Sequence, residues 1–181
     1  MCKILSKSRD ISNKTKKKDM LAKLEKDIIN VYNEKDILIG GIKTQSNYKN
    51  ADIIIGESKY QLTRDKWNTK ILENGDVKYN LKSNSFSGNT EVLETGRKIT
   101  GVFGLKWGTK MIDNQKNILI KIRNESQFID KKKYEIEISD NNVTDLEILM
   151  TLYGHLYGSN MKVQAVVICA IAGTGAMIWL T

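Results

Sequence analysis

The only histidine of the chain is the first residue to consider for catalysis. His155 stands between Tyr153 and Tyr157 in a leucine-rich run. An imidazole acts as a general base only when a partner orients it and a substrate can reach it. A lone histidine in an apolar run is more often a hydrogen-bonded packing residue, and we expect that role here. A lipid-modifying enzyme would need a pocket that holds His155 beside a carboxylate. The sequence therefore predicts a protein that is not an enzyme.

Cysteine content and glycine pattern also bear on cofactors. Cys2 and Cys169 lie near opposite ends of the 181-residue chain, and no Cys/His spacing suits zinc. No glycine-rich loop ends in the Lys-Ser/Thr pair of a nucleotide site. We therefore expect neither a metal nor a cofactor. Cys2, beside Lys3, could accept a fatty acyl chain, but an unmodified cysteine is the simpler expectation.

Two tryptophans occupy equivalent positions of an internal repeat. Lys66-Trp67-Asn68-Thr69-Lys70 recurs as Lys106-Trp107-Gly108-Thr109-Lys110. An exposed ring flanked by lysines can stack on a nucleobase while the lysines bind phosphates. Packing of the rings in the core or at the rim of a sheet, with lysines that protect strand edges, requires no ligand and is the interpretation we favour.

The charge of the chain indicates anionic partners. The formal net charge is +8 and the calculated pI is about 9.3, which favours nucleic acid, anionic lipid or acidic proteins. Residues 1–18 are polar and lysine-rich, and we expect them to be disordered. Because no apolar signal region opens the chain, the bulk of it is expected on the cytoplasmic side. The predicted contacts with an anionic surface are Lys14, Lys16, Lys17 and Lys18.

Residues 163–181 contain no charged side chain. As a helix, Val163 to Leu180 would be roughly 27 Å long, close to the thickness of about 30 Å of a bilayer core. Lys162 flanks this segment on the domain side, as expected for a cytoplasmic domain. We therefore predict a C-terminal membrane anchor over residues 162–180. Its apolar contacts would be Val163, Val166, Val167, Ile168, Ile171, Met177, Ile178, Trp179 and Leu180.

A second interpretation of the same segment stays open. Gln164 and the run Gly173-Thr174-Gly175 dilute its hydrophobicity, and short apolar runs are often core helices. In that case the segment would fill a β-barrel, and residues 144–157 would form a surface helix.

The remaining elements follow from periodicity. Residues 19–35 show apolar residues at helical spacing, which predicts an amphipathic helix with Asp19 as its N-cap. From residue 37 onward the pattern alternates, which predicts short strands. Asn74-Gly75 suits a tight two-residue turn, and strands are expected at Ile53–Ile55, Tyr60–Thr63 and Tyr134–Ile138.

A helix is expected over Thr144–Tyr157. Thr144 can cap it, and Glu147 is placed three residues later to complete a capping box. The helix is apolar nearly all round, which predicts that it is buried. Its apolar residues are Leu146, Ile148, Leu149, Met150, Leu152, Tyr153 and Leu156.

This order of elements resembles the tubby C-terminal-like superfamily, which includes the LURP-one-related proteins and the phospholipid scramblases. The resemblance covers about residues 50–157. It is carried by the two Lys-Trp-x-Thr-Lys hairpins, by Ser85-Phe86-Ser87, and by Tyr134–Ile138 running through Asp140 into Leu146–Leu156. It implies hairpins that close a barrel around a hydrophobic helix.

The resemblance has two departures and one limit. We count fewer hairpins than a twelve-stranded barrel needs, and the chain continues past the expected helix through residues 158–181. Tubby proteins bind phosphoinositides through basic residues. Those positions cannot be matched here one by one, so no lipid-binding residue is carried over.

Together these patterns predict an α+β protein. An antiparallel β-hairpin meander over residues 37–157 closes into a barrel-like sheet around an apolar helix, with an N-terminal amphipathic helix and a C-terminal hydrophobic helix. The predicted function is non-enzymatic binding of anionic lipid or a partner protein at the cytoplasmic face of a membrane. The alternative is a soluble, basic nucleic-acid-binding module whose C-terminal helix lies in the barrel core.

Overall fold

The described residues form a closed barrel of twelve antiparallel strands around one helix. The structure, a computed structural model, describes residues 18–46, 48–84, 87–102, 108–125 and 132–175; of Val102 and residues 162–175 it describes the backbone alone. Each strand pairs with its neighbours in sequence, and β12 pairs with β1 to close the barrel. The elements are β1 (Lys18–Glu25), β2 (Ile28–Tyr32), β3 (Leu38–Thr44), β4 (Asn50–Ile55), β5 (Ser58–Asp65), β6 (Asn68–Glu73), β7 (Asp76–Ser83), β8 (Thr90–Val92), β9 (Lys98–Val102), β10 (Gly108–Ile112), β11 (Ile118–Asn124), β12 (Lys133–Ile138) and α1 (Asp145–Gly175).

The internal repeat forms two hairpins, as expected. The first copy is β6–β7, whose turn has positive φ angles of 53° at Asn74 and 90° at Gly75. The second copy is β10–β11. In its longer turn, the Asp113 carboxylate accepts hydrogen bonds from the backbone N–H groups of Gln115 and Asn117 at 2.9 and 2.8 Å. The strands expected around Ile53, Tyr60 and Tyr134 are also present, as β4, β5 and β12.

The first half of α1 fills the barrel. Its capping box is formed, since Glu147 N–H donates to Thr144 Oγ1 at 3.2 Å and Thr144 N–H donates to Glu147 Oε2 at 3.0 Å. The predicted burial of this segment is confirmed: Leu146, Ile148, Leu149, Met150, Leu152, Tyr153 and Leu156 are all in the core. Because strands surround this part of the helix, apolar side chains are needed on every face of it.

Residues 19–35, expected to form an amphipathic helix, hold most of β1, all of β2 and the start of the β2–β3 connection, so that prediction is wrong. β1 and β2 form a hairpin across the turn Lys26-Asp27, where Lys26 has a φ of 58°. Ala22 lies opposite Val31 in this hairpin, and both side chains are fully buried. The two strands present apolar residues to the interior with period two on each side of the turn. When the two alternating patterns are taken together across the turn, their apolar residues fall at intervals close to those of a helix.

The connections between strands divide into two sets, at opposite ends of the barrel. Asp145, the first helical residue, follows the connection 139–144 at what we call the start end. The connections β2–β3, β4–β5, β6–β7, β8–β9 and β10–β11 share this end because the strands alternate in direction. The connections β1–β2, β3–β4, β5–β6, β7–β8, β9–β10 and β11–β12 lie at the other end, which we call the exit end because α1 leaves the barrel there.

The helix continues beyond the barrel. Leu156 is 4% exposed and Met161 is 47% exposed, while the helical backbone runs on to Gly175. The segment inside the barrel is therefore 146–156, so the interpretation that made residues 144–157 a surface helix is wrong. Within residues 18–46, 48–84, 87–102, 108–125 and 132–175, no helix combines the length and apolarity needed to cross a membrane.

Gly40 of β3 marks a close approach between helix and strand. A Cβ atom there would lie 2.6 Å from the Ile54 carbonyl oxygen and 2.8 Å from Leu149 Cδ1. We expect Gly40→Ala to lower the free energy of unfolding by about 1–3 kcal/mol, because the backbone of β4 and the buried helix cannot both yield. Urea unfolding followed by circular dichroism measures this.

Gly158→Ala is the matched control. No atom lies within 4 Å of a Cβ built at this helical glycine. Alanine favours a helix by about 1 kcal/mol over glycine, so the control is expected to be as stable as the wild type or more so. Equal stability of Gly40→Ala and the wild type would contradict the close packing of α1 against β3.

Candidate binding site at the helix exit

Polar side chains surround α1 where it leaves the barrel. The strand residues are Arg64, Thr69, Ser83, Thr90, Thr109 and Asn124, and they face Tyr153, His155 and Tyr157 of the helix. We call these residues the collar. Below the collar the interior is mainly apolar, with Thr151 and Glu147 as buried polar residues of α1, so the collar is the boundary between the core and the exit end.

Arg64 is the charged residue at the centre of one side of the collar. Its guanidinium donates to Thr69 Oγ1 at 3.2 Å and to Ser83 Oγ at 3.0 Å, and Ser83 in turn is hydrogen-bonded to Thr90 at 2.8 Å. The guanidinium carbon lies 4.0 Å from the centre of the Tyr157 ring, a cation–π contact. In the part of the chain that the structure describes, no carboxylate forms an ion pair with Arg64. Its positive charge therefore adds to the field at the exit end.

His155 occupies the other side of the collar. It is 5% exposed; its Nδ1 is 2.9 Å from Thr109 Oγ1 and its Nε2 is 2.6 Å from Asn124 Oδ1. A neutral ring that donates from Nε2 to Asn124 can accept the Thr109 hydroxyl at Nδ1. The Tyr134 ring meets it edge-on at 5.6 Å. This is the hydrogen-bonded packing role expected from the sequence, and these contacts fix the rotation of α1 in the barrel.

Tyr153 ties the helix to the β3–β4 connection. Its hydroxyl donates to the Tyr48 carbonyl oxygen at 2.7 Å, and its ring is 2% exposed. Burial raises the pKa of the Tyr153 hydroxyl to about 12. The ring also stacks on Tyr157, with 6.3 Å between ring centres.

The six exit-end connections are basic in sequence and rich in aromatic residues. They read 26–27, 45–49, 66–67, 84–89, 103–107 and 125–132, and together they hold six basic and three acidic residues. All three phenylalanines of the chain and two of its three tryptophans are in these connections. Residues 47, 85–86, 103–107 and 126–131 lie outside the described residues and count here as sequence only. The aromatic residues of the six connections are Tyr48, Trp67, Phe86, Phe103, Trp107 and Phe128.

Trp67 is an aromatic residue of these connections whose side chain is exposed to solvent. It lies in the two-residue β5–β6 turn beside Lys66, and 48% of its surface is exposed. It therefore lies at the rim of the barrel rather than in its core. An indole at a rim beside lysines is typical of residues that sit at a membrane–water interface.

Two acidic residues at the exit end, Glu25 and Asp27, are paired with neighbouring cations. The Glu25 carboxylate accepts hydrogen bonds from Tyr32, Asn30 and Lys23 at 2.7, 2.7 and 3.0 Å, and these bonds lower its pKa to about 2. Asp27 pairs with Lys43, which lowers the pKa of that carboxyl. These pairs neutralise acids that would otherwise offset the basic residues of the turns.

The start end has the opposite composition. Its connections, residues 33–37, 56–57, 74–75, 93–97, 113–117 and 139–144, hold six acidic and three basic residues and no aromatic residue. Glu147 lies beneath these connections, 2% exposed, and pairs with Arg97 at 2.5 Å. Acidic residues here also suit the N-terminus of α1, where the helix dipole favours negative charge.

The site residues predicted from sequence fall in several places. Lys18 begins β1 opposite Ile138, at the start end, and Lys14, Lys16 and Lys17 lie outside the described residues. Of the anchor residues, Val163, Val166, Val167, Ile168 and Ile171 belong to α1, described there by its backbone alone. Cys2, Trp107, Met177, Ile178, Trp179 and Leu180 lie outside the described residues.

Sequence reasoning missed the collar and the two unlike ends. Arg64 looked like one charge among many, because nothing local marks a residue whose partners are Ser83 and Tyr157. The sequence does contain a signal for the two unlike ends. In a hairpin meander alternate turns lie at the same end, so charges and aromatics summed over alternate turns reveal the segregation.

Comparison with known proteins supports the fold. No protein-family model matches the chain, and no curated protein matches it. Among solved structures, the X-ray structure of a protein from Arabidopsis thaliana, AT5G01750, matches with a TM-score of 0.54 and 13% sequence identity. The match covers 81% of this chain and 93% of that one. At this identity the likeness shows a shared fold and nothing about function.

Because of Tyr153, we expect the stability of the barrel to fall at alkaline pH. The folded protein holds the phenolic proton more tightly than the unfolded chain, where a tyrosine has a pKa of about 10. The stability linked to neutral Tyr153 is therefore complete below pH 10 and is lost as the pH rises toward 12. We expect wild type to lose roughly 2–3 kcal/mol more than Tyr153→Phe over this range. Urea unfolding of both proteins at stepped pH tests this, and parallel curves would contradict it.

Proposed function

We propose that the chain is a non-enzymatic binding module that docks on an anionic membrane surface, at the cytoplasmic face, through the exit end of its barrel. One observation carries this proposal. Basic and aromatic residues are concentrated in the connections at one end of the barrel, acidic residues in those at the other, and the helix leaves at the basic, aromatic end. We also propose that the chain is a member of the tubby C-terminal-like superfamily, which the twelve-stranded barrel around a buried helix supports.

The exit end combines the two interactions that bind a protein to an anionic bilayer. Lysines near the surface contribute about 1 kcal/mol each by attraction to the lipid head groups. Exposed indole and other large apolar side chains enter the boundary between head groups and acyl chains. Lys66 and Trp67 supply one of each in a single turn, and the described lysines Lys26, Lys49 and Lys132 lie in other connections of the exit end.

The extension of α1 would then meet the membrane first. Its sequence from Val163 onward is uncharged, and it emerges among the basic connections. We propose that residues 163–180 contribute apolar contact with the bilayer, in place of the independent span expected from sequence. The acidic start end would point away from the anionic surface, because like charges repel, and this orients the barrel.

Co-sedimentation with vesicles tests the docking surface. The doubly substituted chain with Lys66→Asp and Trp67→Ala is expected to bind phosphatidylcholine–phosphatidylserine vesicles about tenfold more weakly or worse, because it reverses one charge and removes one indole. Aspartate tolerates the positive φ of 50° at position 66, so the turn should persist. Vesicles of phosphatidylcholine alone should bind the wild type poorly.

The matched control lies at the start end. Lys116 has a φ of 68° in the β10–β11 turn, and Leu93 is 54% exposed in the β8–β9 connection. Lys116→Asp with Leu93→Ala makes the same kinds of change and should leave vesicle binding near the wild-type value. Equal losses in both proteins would refute docking by the exit end. Retained vesicle binding with lost binding to single-stranded DNA in the Trp67 variant would instead favour the nucleic-acid module.

A chain ending at Gly158 tests the part played by the helix extension. All the buried helical residues from Leu146 to Leu156 remain in it, so we expect a barrel of near wild-type stability. Its binding to anionic vesicles should fall below that of the full chain, since the apolar extension is gone. An unfolded product would show instead that residues after Gly158 belong to the core, and unchanged vesicle binding would restrict docking to the turns.

A further inference from the structure

Three aliphatic side chains lie close together on the outer surface at the start end of the barrel. Leu72 of β6 and Val77 of β7 are opposite each other, at a β-bulge in the pairing of the two strands. Leu72 is half-buried, and Val77 is 47% exposed. Leu93, directly after β8, is 54% exposed and donates its N–H to the Asn80 carbonyl oxygen at 2.9 Å. Because Asn80 is three residues from Val77 on β7, Leu93 and Val77 are roughly 10 Å apart. We call Leu72, Val77 and Leu93 the start-end patch.

An ordered backbone keeps these side chains in contact with water. In the β8–β9 connection, the Gly96 N–H donates to the Val92 carbonyl oxygen at 2.8 Å. The Glu94 carboxylate accepts hydrogen bonds from the backbone N–H and the side-chain amide of Asn80, both at 2.9 Å. These bonds fix the connection against β7, so Leu93 cannot turn inward without breaking them. A partner that covered the patch would therefore gain the free energy of apolar burial.

The edge of the start-end patch is negatively charged. Glu57, Asp76 and Glu94 lie in or beside the connections that meet here, and within the described part of the chain none of them forms an ion pair. Lys70, opposite Asn80 on β6, is the neighbouring cation that likewise has no ion pair among the described residues. Other cations on this side are paired with carboxylates: Lys59 with Asp52, Lys78 with Glu73, Arg97 with Glu147, and Lys98 with Glu91. The patch therefore has an apolar centre and an acidic edge.

The spacing of the patch fits an α-helix laid across it. On a helix, side chains seven residues apart lie on one face, about 10.5 Å apart along the axis. Two apolar side chains at that spacing can cover Val77 and Leu93 together. Lysines or arginines beside them would lie near Asp76 and Glu94, whereas nucleic acid and anionic lipid would be repelled there. We propose that the start-end patch binds a basic amphipathic helix of a partner protein.

This inference goes beyond membrane docking, because it concerns the opposite end of the barrel and is tested without vesicles. The probe is an alanine-rich peptide of about 15 residues, long enough to populate a helix, with two leucines seven residues apart and lysines beside them. Added to the full chain, it should shift the methyl signals of Leu72, Val77 and Leu93 saturably and leave those of Leu21 unchanged. The same peptide with glutamate in place of each lysine should bind about tenfold more weakly or worse.

Two variants separate the patch from a general attraction of basic peptides to the protein. Asp76→Lys with Leu93→Gln reverses one charge and removes one apolar contact, and it is expected to weaken binding of the lysine peptide about tenfold or more. The matched control is Asp19→Lys with Leu21→Gln, at exposed positions of β1, which lies six strands from β7 in the closed barrel. The control should bind the peptide as the wild type does. Should the first variant unfold, Asp76→Asn serves instead and should weaken binding more than Asp19→Asn.

Three results would overturn the proposal: no saturable shift of the patch methyls, equal affinity for the lysine and glutamate peptides, or equal losses in the variant and its control. A wild-type dimer in sedimentation that Asp76→Lys with Leu93→Gln abolishes would also overturn it, since the patch would then bind a second copy of this chain. Changed amide signals of the lysine-rich residues 1–17 in that variant, without peptide, would assign the patch to the chain's own segment. Vesicle docking by the wild type despite any of these would leave the membrane proposal intact.

Discussion

The structure depends on the burial of one apolar helical segment, Leu146–Leu156, inside the barrel. The inward side chains of the strands need a filling, and the apolar side chains of the helix supply it, while its buried polar residues Glu147, Thr151 and His155 all have hydrogen-bond or ion-pair partners. Each large apolar side chain buried in this way contributes about 1.5–3 kcal/mol relative to exposure. Gly40 and Gly154 allow the closest contacts, with Leu149 against one strand and Ile99 against the helix backbone.

A helix held in a barrel must also be held at a fixed depth, and different chemistry does this at each end. At the start end, Glu147 both completes the capping box and pairs with Arg97, so a nearly buried carboxylate is satisfied from two directions. At the exit end, hydrogen bonds from Tyr153 and His155 reach three different connections or strands. Buried polar groups that lack partners are costly, so a shift along the helix axis would break several contacts together. The contacts at the two ends of the barrel therefore hold the helix at one depth.

Much of this fold could be predicted from sequence, and the strands and contacts that were missed lack a clear local signal. The repeat hairpins, β12 and the capped, buried helix were expected because their signals are local: Asn74-Gly75, the Thr144–Glu147 box and alternating apolar residues. β1 and β2 were mistaken for a helix because their turn, Lys26-Asp27, lacks the Asn-Gly signal of β6–β7 and because the pairing of β1 with β12 is not local. The same misassignment accounts for two of the five strands missing from the sequence-based count, and β3, β8 and β9 are the other three. The collar could not be predicted, since Arg64 and Tyr157 are far apart in sequence and meet only when the barrel closes.

The positions of the chain ends limit which basic residues can act together. Lys18 starts β1 at the start end, and the strand rises by about 3.3 Å per residue toward the exit end. Over its eight residues this separates Lys18 from the exit-end lysines by roughly 25 Å. Attraction between exposed charges is largely screened beyond about 8–10 Å at physiological salt. Lys18 therefore contributes little to the potential at the exit end, and net charge alone does not reveal the difference between the two ends. The arrangement of charge over alternate turns is the property that distinguishes the two ends.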